Sequence, residues 1–138
     1  MIVADTDVLA YLLLPGDRTV LARRAFVRDP VWVAPPLWRS ELRNVLALYV
    51  RQRRLALDDA IAVQEEAEGL VGGRELPVDS ARVLSLAAET GRSAYDCEFA
   101  ALAEHLDVPL VTSDRQVLAS FPRRAVSLHA FATDAPDG

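Results

Sequence analysis

The first nine residues read Met1-Ile2-Val3-Ala4-Asp5-Thr6-Asp7-Val8-Leu9. A short apolar run stops at two carboxylates. A second apolar run, Val8 to Leu14, resumes behind them and ends at Pro15-Gly16. The first run predicts a buried strand and the second a helix, so Asp5 and Asp7 fall where strand turns into helix. The same order returns at Leu110-Val111-Thr112-Ser113-Asp114. There an apolar strand runs into Ser113-Asp114, which cap a short helix reaching about Ser120. If the two strands are parallel and central, Asp5, Asp7 and Asp114 meet at one edge of the sheet. Sites in parallel α/β sheets form beyond the carboxyl ends of the strands.

The stretches between repeat the alternation. Asp17 to Arg28 has a helical pattern with Val20, Leu21, Ala25 and Phe26 apolar. Val31-Trp32-Val33 predicts a strand, and Pro35-Pro36 opens a helix from Leu37 to about Arg54. In that helix Trp38, Leu42, Val45 and Tyr49 form one stripe, widened by Leu46 and Val50. Leu57-Asp58-Asp59 starts the next helix, which stops at Gly72-Gly73. Glu75 to Val78 reads as a short extended piece. Asp79 or Ser80 then caps a helix ending at Gly91, and Ser93 to Leu106 is helical again. Ala125 to Leu128 predicts a last strand, and 132–138 a frayed polar tail. Strands alternating with helices give an α/β domain with a parallel sheet.

Composition excludes several classes of protein. The 138 residues suit one domain. At 51% hydrophobic and 25% charged, the chain can bury a core and is not globally disordered. No apolar run reaches the roughly 18–20 residues of a bilayer span, which predicts no membrane segment. Met1 to Asp5 lacks the basic start of a secretory signal, and the single Cys97 forms neither an internal disulfide nor a zinc pattern. The expectation is a soluble, cytoplasmic protein. All 15 bases are Arg. Without lysine, Schiff-base chemistry, the standard P-loop and the usual kinase site are excluded. His105 and His129 show no metal-ligand spacing, and Cys97 reads as a small buried helix residue.

Two further acids border apolar stripes. Glu41 lies three residues after Trp38 and four before Val45. Asp96 lies in the first turn of its helix, with Phe99 and Ala103 on its side. Glu98 and Glu104 read as solvated. A carboxylate beside a buried stripe is costly unless paired or metal-bound. Each acid also has a purely structural reading. Asp5 or Asp7 caps the first helix, Ser93 to Asp96 is a capping box, Asp114 is an N-cap, and Glu41 pairs with Arg39, Arg43 or another Arg. Taken together at one edge, the acids favour a hard cation such as Mg²⁺ or Mn²⁺.

Four motifs now stand in order. They are Met1 to Leu9, Ser40-Glu41-Leu42-Arg43-Asn44-Val45-Leu46, Tyr95-Asp96-Cys97-Glu98-Phe99-Ala100-Ala101-Leu102-Ala103, and Leu110 to Asp114. With them the sequence resembles PIN-domain proteins, and is similar to the VapC-type ribonuclease toxins of bacterial toxin–antitoxin pairs. The resemblance runs from residue 1 to about 128. It implies a single domain over 1–138, a three-layer α/β/α sandwich with a central, mostly parallel sheet. It also implies an endoribonuclease using Mg²⁺ or Mn²⁺, an RNA substrate, a cognate antitoxin and a homodimer. Residue by residue, the family's acidic quartet falls on Asp5, Glu41, Asp96 and Asp114, and its hydroxyl on Thr112. Asp7 stands where the family usually has asparagine, which leaves open whether it adds a fifth oxygen ligand. Without the quartet the net charge of −5 becomes −1, and bound cations then draw phosphate to an acidic chain. Arg51, Arg53 and Arg54, or Arg23 and Arg24, are candidates to steer RNA, or else are solvated faces. Two other readings compete. One is a catalytically inactive PIN fold that binds RNA or protein. The other is a haloacid-dehalogenase-like phosphatase, which Asp5-Thr6-Asp7 mimics but which generally wants a lysine.

Overall fold

Ile2–Ala4, Trp32–Val33, Leu110–Thr112 and Ala125–Ser127 form strands β1 to β4 of the computed structural model, which describes residues 1–134. They make one sheet in the order β2-β1-β3-β4, and every pairing is parallel. The sheet expected to be mostly parallel is therefore wholly so. β1 and β3 occupy its centre. All residues of β1, β2 and β3 are buried, as strands covered on both faces must be, so these runs are continuously apolar rather than alternating.

Eight α-helices surround the sheet: α1 Thr6–Leu13, α2 Thr19–Arg28, α3 Trp38–Arg51, α4 Leu57–Val71, α5 Ser80–Thr90, α6 Ala94–Leu106, α7 Arg115–Ser120 and α8 Leu128–Thr133. α6 lies against β1 and β3 and packs on α5, while α1 lies against β3 and packs on α2, α3 and α4. The α3 stripe turns Trp38, Leu42 and Leu46 fully inward, one turn apart, and leaves Val45 and Tyr49 half-buried. Trp38 Nε1 donates to Glu75 Oε1 at 2.7 Å, and Arg39 ion-pairs with both Glu68 and Glu75. A Cβ on Gly72 would meet the Arg39 guanidinium at 3.2 Å, so the glycine that ends α4 also makes room for this network.

Glu75–Val78 is extended at Glu75, as expected, and joins the sheet through a bridge from Glu75 to Ala34. The C-terminal segments differ from expectation. The last strand stops at Ser127, whose Oγ accepts the Ala130 N–H at 3.0 Å and starts α8 instead. α8 runs through 132 and 133, part of the expected tail, because Leu128 and Phe131, one turn apart, are both buried. Residues 135–138 of that tail lie outside the described residues.

Candidate active site

The central pair of strands builds the site. β1 and β3 run side by side with Ala4 opposite Val111, so Asp5 and Thr112 leave the same edge together. Thr112 is fully buried, and its Oγ1 donates to Asp5 Oδ2 at 2.7 Å. The same oxygen accepts the Asp114 N–H at 3.1 Å. One hydroxyl thus ties the acid after β1 to the acid after β3. Asp5 also caps α1, its Oδ1 accepting the Thr6 N–H at 2.9 Å. Asp114 caps α7, its Oδ1 accepting from the N–H groups of Gln116 at 2.8 Å and Val117 at 3.3 Å.

Glu41 and Asp96 come from α3 and α6. Glu41 Oε1 accepts the Thr6 hydroxyl at 2.8 Å. Its expected arginine partner is absent among the described residues, since Arg39 is engaged by Glu68 and Glu75. Asp96 sits in the first turn of α6, with the Ser93 Oγ accepting its backbone N–H at 3.1 Å. The capping geometry anticipated at Ser93 is therefore present, and it leaves the Asp96 carboxylate facing the other acids.

Electrostatics bind the set together. Burial lifts the Asp5 carboxyl above its usual range against the Thr112 and Thr6 hydrogen bonds, and Asp96 and Asp114 push it further up. Burial likewise raises Glu41, with the Thr6 bond opposing and Asp5, Asp96 and Glu98 repelling. Asp96 is raised by burial and by Asp114, with Arg92 opposing. Asp7 is pushed up to about 7, first by burial and then by Asp5. Its Oδ2 accepts the Ser113 N–H at 3.1 Å, while its buried Oδ1 has no partner. Like charges raising one another's pKa are the signature of a shared site. Among the described residues no three acidic, histidine or cysteine side chains close a shell around a single point. The acids instead stand as separate carboxylates along one edge, linked through the Thr112 and Thr6 hydroxyls.

Some of its members were not legible beforehand. Thr6 positions Glu41 through a contact 35 residues away in sequence. Glu98, expected in solvent, is half-buried and repels Glu41, whereas Glu104 does lie outside, paired with Arg82 at 2.8 Å. Arg92 stands beside Asp96, its Nη1 donating to Gln116 Oε1 at 2.5 Å and its Nε buried without a partner. Cys97 is buried in α6 and unpaired.

Comparison with known proteins agrees with this geometry. The PIN domain family model matches residues 2–124. Ribonuclease VapC3 of Pyrobaculum aerophilum is 32% identical over 126 residues, covering 88% of this chain and 95% of that protein. The crystal structure of PAE2754 from Pyrobaculum aerophilum shares the fold with a TM-score of 0.76 at 23% identity, over 96% of both chains. That of FitAcB from Neisseria gonorrhoeae does so with a TM-score of 0.67 at 22% identity, over 93% of this chain and 98% of its own. FitAB bound to the IR36 DNA fragment gives 0.71 at 19% identity over the full length of both. A parallel sheet carrying an acidic edge, in a chain that the family's model matches over residues 2–124, makes this chain a member of the PIN domain family.

Proposed function

We propose that the chain is a divalent-metal-dependent endoribonuclease that hydrolyses RNA phosphodiester bonds as the toxin of a toxin–antitoxin pair. The observation that carries this reading is the Thr112 hydroxyl that ties Asp5 to Asp114 at the carboxyl edge of β1 and β3, with Glu41 joined to the same turn through the Thr6 hydroxyl. Membership of the PIN family and the likeness to a VapC ribonuclease support it. In this reading the four acids hold Mg²⁺ or Mn²⁺, and Thr112 fixes Asp5. Separate carboxylates along one edge suit Mg²⁺, which keeps several waters and takes few protein ligands. The unpartnered Asp7 Oδ1 and the raised acids supply the donor chemistry that such an ion satisfies.

A divalent ion bound there supplies an activated water and charge compensation for phosphate. The protein's own part is positional. The Thr112 and Thr6 hydroxyls hold Asp5 and Glu41 by their oxygens, and the N–H groups opening α7 fix one oxygen of Asp114. Arg92, beside Asp96, offers a nearby cation for phosphate charge. Among the described residues no helix is long and apolar enough to cross a membrane, and we place the protein in the cytoplasm, where RNA and an antitoxin would meet it. Exposed Leu48, Leu57 and Ile61 on α3 and α4 support self-association as a homodimer.

The test is cleavage of RNA by the purified chain with Mg²⁺, with Mn²⁺ and in excess chelator, alongside Asp96→Asn. Activity is expected with either ion and lost with chelator. Asp96→Asn is expected to be inactive while melting within about 1 kcal/mol of wild type, since the α6 cap is the Ser93 hydroxyl on the residue-96 backbone N–H, which the substitution keeps. Full-rate cleavage in chelator, or by the variant, refutes the reading.

A further inference from the structure

A cleft of about 510 Å³ opens directly beside the acidic edge, and Asp7 forms part of its wall. Its floor and sides come from two elements. α1 contributes Tyr11, and α3 contributes Tyr49 near its C-terminal end. Both rings are half-buried and line the cleft. Arg18 and Arg54 complete the mouth.

Both arginines lie on tyrosine rings of the cleft, as Arg28 lies on Phe131 elsewhere at 4.4 Å. The Arg54 guanidinium lies over the Tyr49 ring at 4.3 Å, and that of Arg18 lies 5.3 Å from the Tyr11 ring, with a long 3.5 Å contact to its hydroxyl. Among the described residues neither makes an ion pair, in contrast to Arg39, Arg82 and Arg124. Asp17 also lines the mouth and does not pair with Arg18. The backbone behind Arg54 is specifically shaped. Arg53 adopts φ +58°, a left-handed conformation that costs a non-glycine residue about 1 kcal/mol. The Arg54 N–H then donates to Tyr49 O at 2.9 Å, folding Arg54 back over the ring it stacks on. What sets Arg18 and Arg54 apart from Arg28 is that both line one cleft, together with the rings they lie on.

We propose that this cleft is a nucleotide subsite for single-stranded RNA, in which Tyr11 and Tyr49 stack an unpaired base and Arg18 and Arg54 hold the adjoining phosphates. The proposal rests on the ribonuclease reading above and extends it to how the strand is held. The chemistry is that of single-strand recognition, where bases stack on aromatic rings and guanidinium planes and the backbone follows positive charge. Stacking of this kind accepts any base, so the subsite positions the strand rather than selecting its sequence. Asp7 joins it to the acids, so the base it holds is a near neighbour of the scissile phosphate. Burial and the charge of Asp7 raise the Tyr11 hydroxyl, which keeps it neutral beside RNA.

The test is equilibrium binding of a fluorescent, randomised single-stranded RNA to the full chain in Ca²⁺, with steady-state cleavage in Mg²⁺. Tyr11→Leu and Tyr49→Leu are each expected to weaken RNA binding on the order of 10-fold, with the loss appearing in KM. Tyr11→Phe and Tyr49→Phe, which keep the ring, are expected to stay within about 2-fold of wild type. Arg54→Gln is expected to weaken binding and lower the salt dependence by about one ionic contact. Unchanged RNA affinity in both leucine variants, folded by thermal melting, overturns the subsite and leaves the cleft as a protein-docking surface. If wild type cleaves RNA in that case, the ribonuclease reading stands without the subsite. If wild type neither binds nor cleaves RNA, both fall.

Discussion

Replacing Asp7 by asparagine should stabilise the metal-free protein, and more so as pH rises. Asp7 is strongly perturbed: its carboxyl is pushed up to about 7 from 3.8 by burial and by Asp5. Between those two values the unfolded chain has already released this proton while the folded chain retains it. The folded state binds more protons, so stability falls as pH rises through this window. A gap of that size corresponds to about 4 kcal/mol when fully developed above pH 7, and about 2–4 kcal/mol once partial exposure is allowed for. Asparagine keeps an oxygen for the Ser113 N–H and carries no charge to repel Asp5. Urea melts of wild type and Asp7→Asn in chelator at about pH 4.5, 6 and 8 measure the difference directly. The variant should exceed wild type by about 1 kcal/mol or less at the lowest pH and by about 2 kcal/mol or more at the highest. Raised Asp5, Glu41 and Asp96 pull both proteins the same way, so they largely cancel in the comparison. A variant no more stable than wild type at about pH 8 refutes the argument. Repeating the melts with Mg²⁺ then reads whether Asp7 lends its orphan oxygen to an ion. If it does, Mg²⁺ shifts wild type more than the variant.

Two other substitutions probe the acidic edge from different sides. Glu41→Gln in chelator should change stability by no more than about 1 kcal/mol, because the Thr6 bond survives and repulsion is relieved; a loss of about 3–5 kcal/mol, that of a broken buried ion pair, would contradict the geometry. The same variant should lose RNA cleavage on the order of 100-fold, read in a turnover assay with Mg²⁺. Thr112→Val removes a buried hydroxyl that serves both Asp5 and Asp114, and should cost about 2–4 kcal/mol in a denaturant melt, whereas Thr112→Ser should cost about 1 kcal/mol or less.

The parts of the site that could be read from sequence are those fixed by local rules. Ile2-Val3-Ala4 and Leu110-Val111-Thr112 are strands buried on both faces, so each shows as an apolar run with a capping acid behind it. That pattern located Asp5 and Asp114 and, through their common edge, the site. Glu41 was legible because α3 is long and its stripe regular. What stayed hidden depends on packing between distant elements. Nothing near Thr6 shows that its hydroxyl will meet Glu41, and nothing in α6 shows that Glu98 faces inward while Glu104 does not. The helix α8 was missed because Leu128 and Phe131 supply one turn of pattern, too little to outweigh the preceding Val126 and Leu128 read as a strand. Tyr11 and Tyr49 are separated by most of α1, α2, β2 and α3, and only the fold makes them walls of one cleft.

Capping and the proposed metal binding turn out not to be rival readings of these acids. In a parallel sheet every strand delivers the chain to the same edge, and the helix that follows begins there. The N-terminal N–H groups of α1 and α7 therefore gather where Asp5 and Asp114 stand, and Asp96 joins them from the first turn of α6, whose cap is Ser93. A cap uses one carboxylate oxygen, as at Asp114 Oδ1, and leaves the other to the cleft. If capping were the whole purpose, asparagine or serine would serve about as well without a charge. A cap contributes about 1 kcal/mol, and the helix dipole about 0.3–1 kcal/mol more for an anion. Neither keeps Asp5 or Asp96 in its ordinary range, because burial and mutual repulsion outweigh both. A set of charges that the metal-free fold holds at a loss, on an edge where uncharged caps would suffice, is what a cation-binding site requires of the sequence.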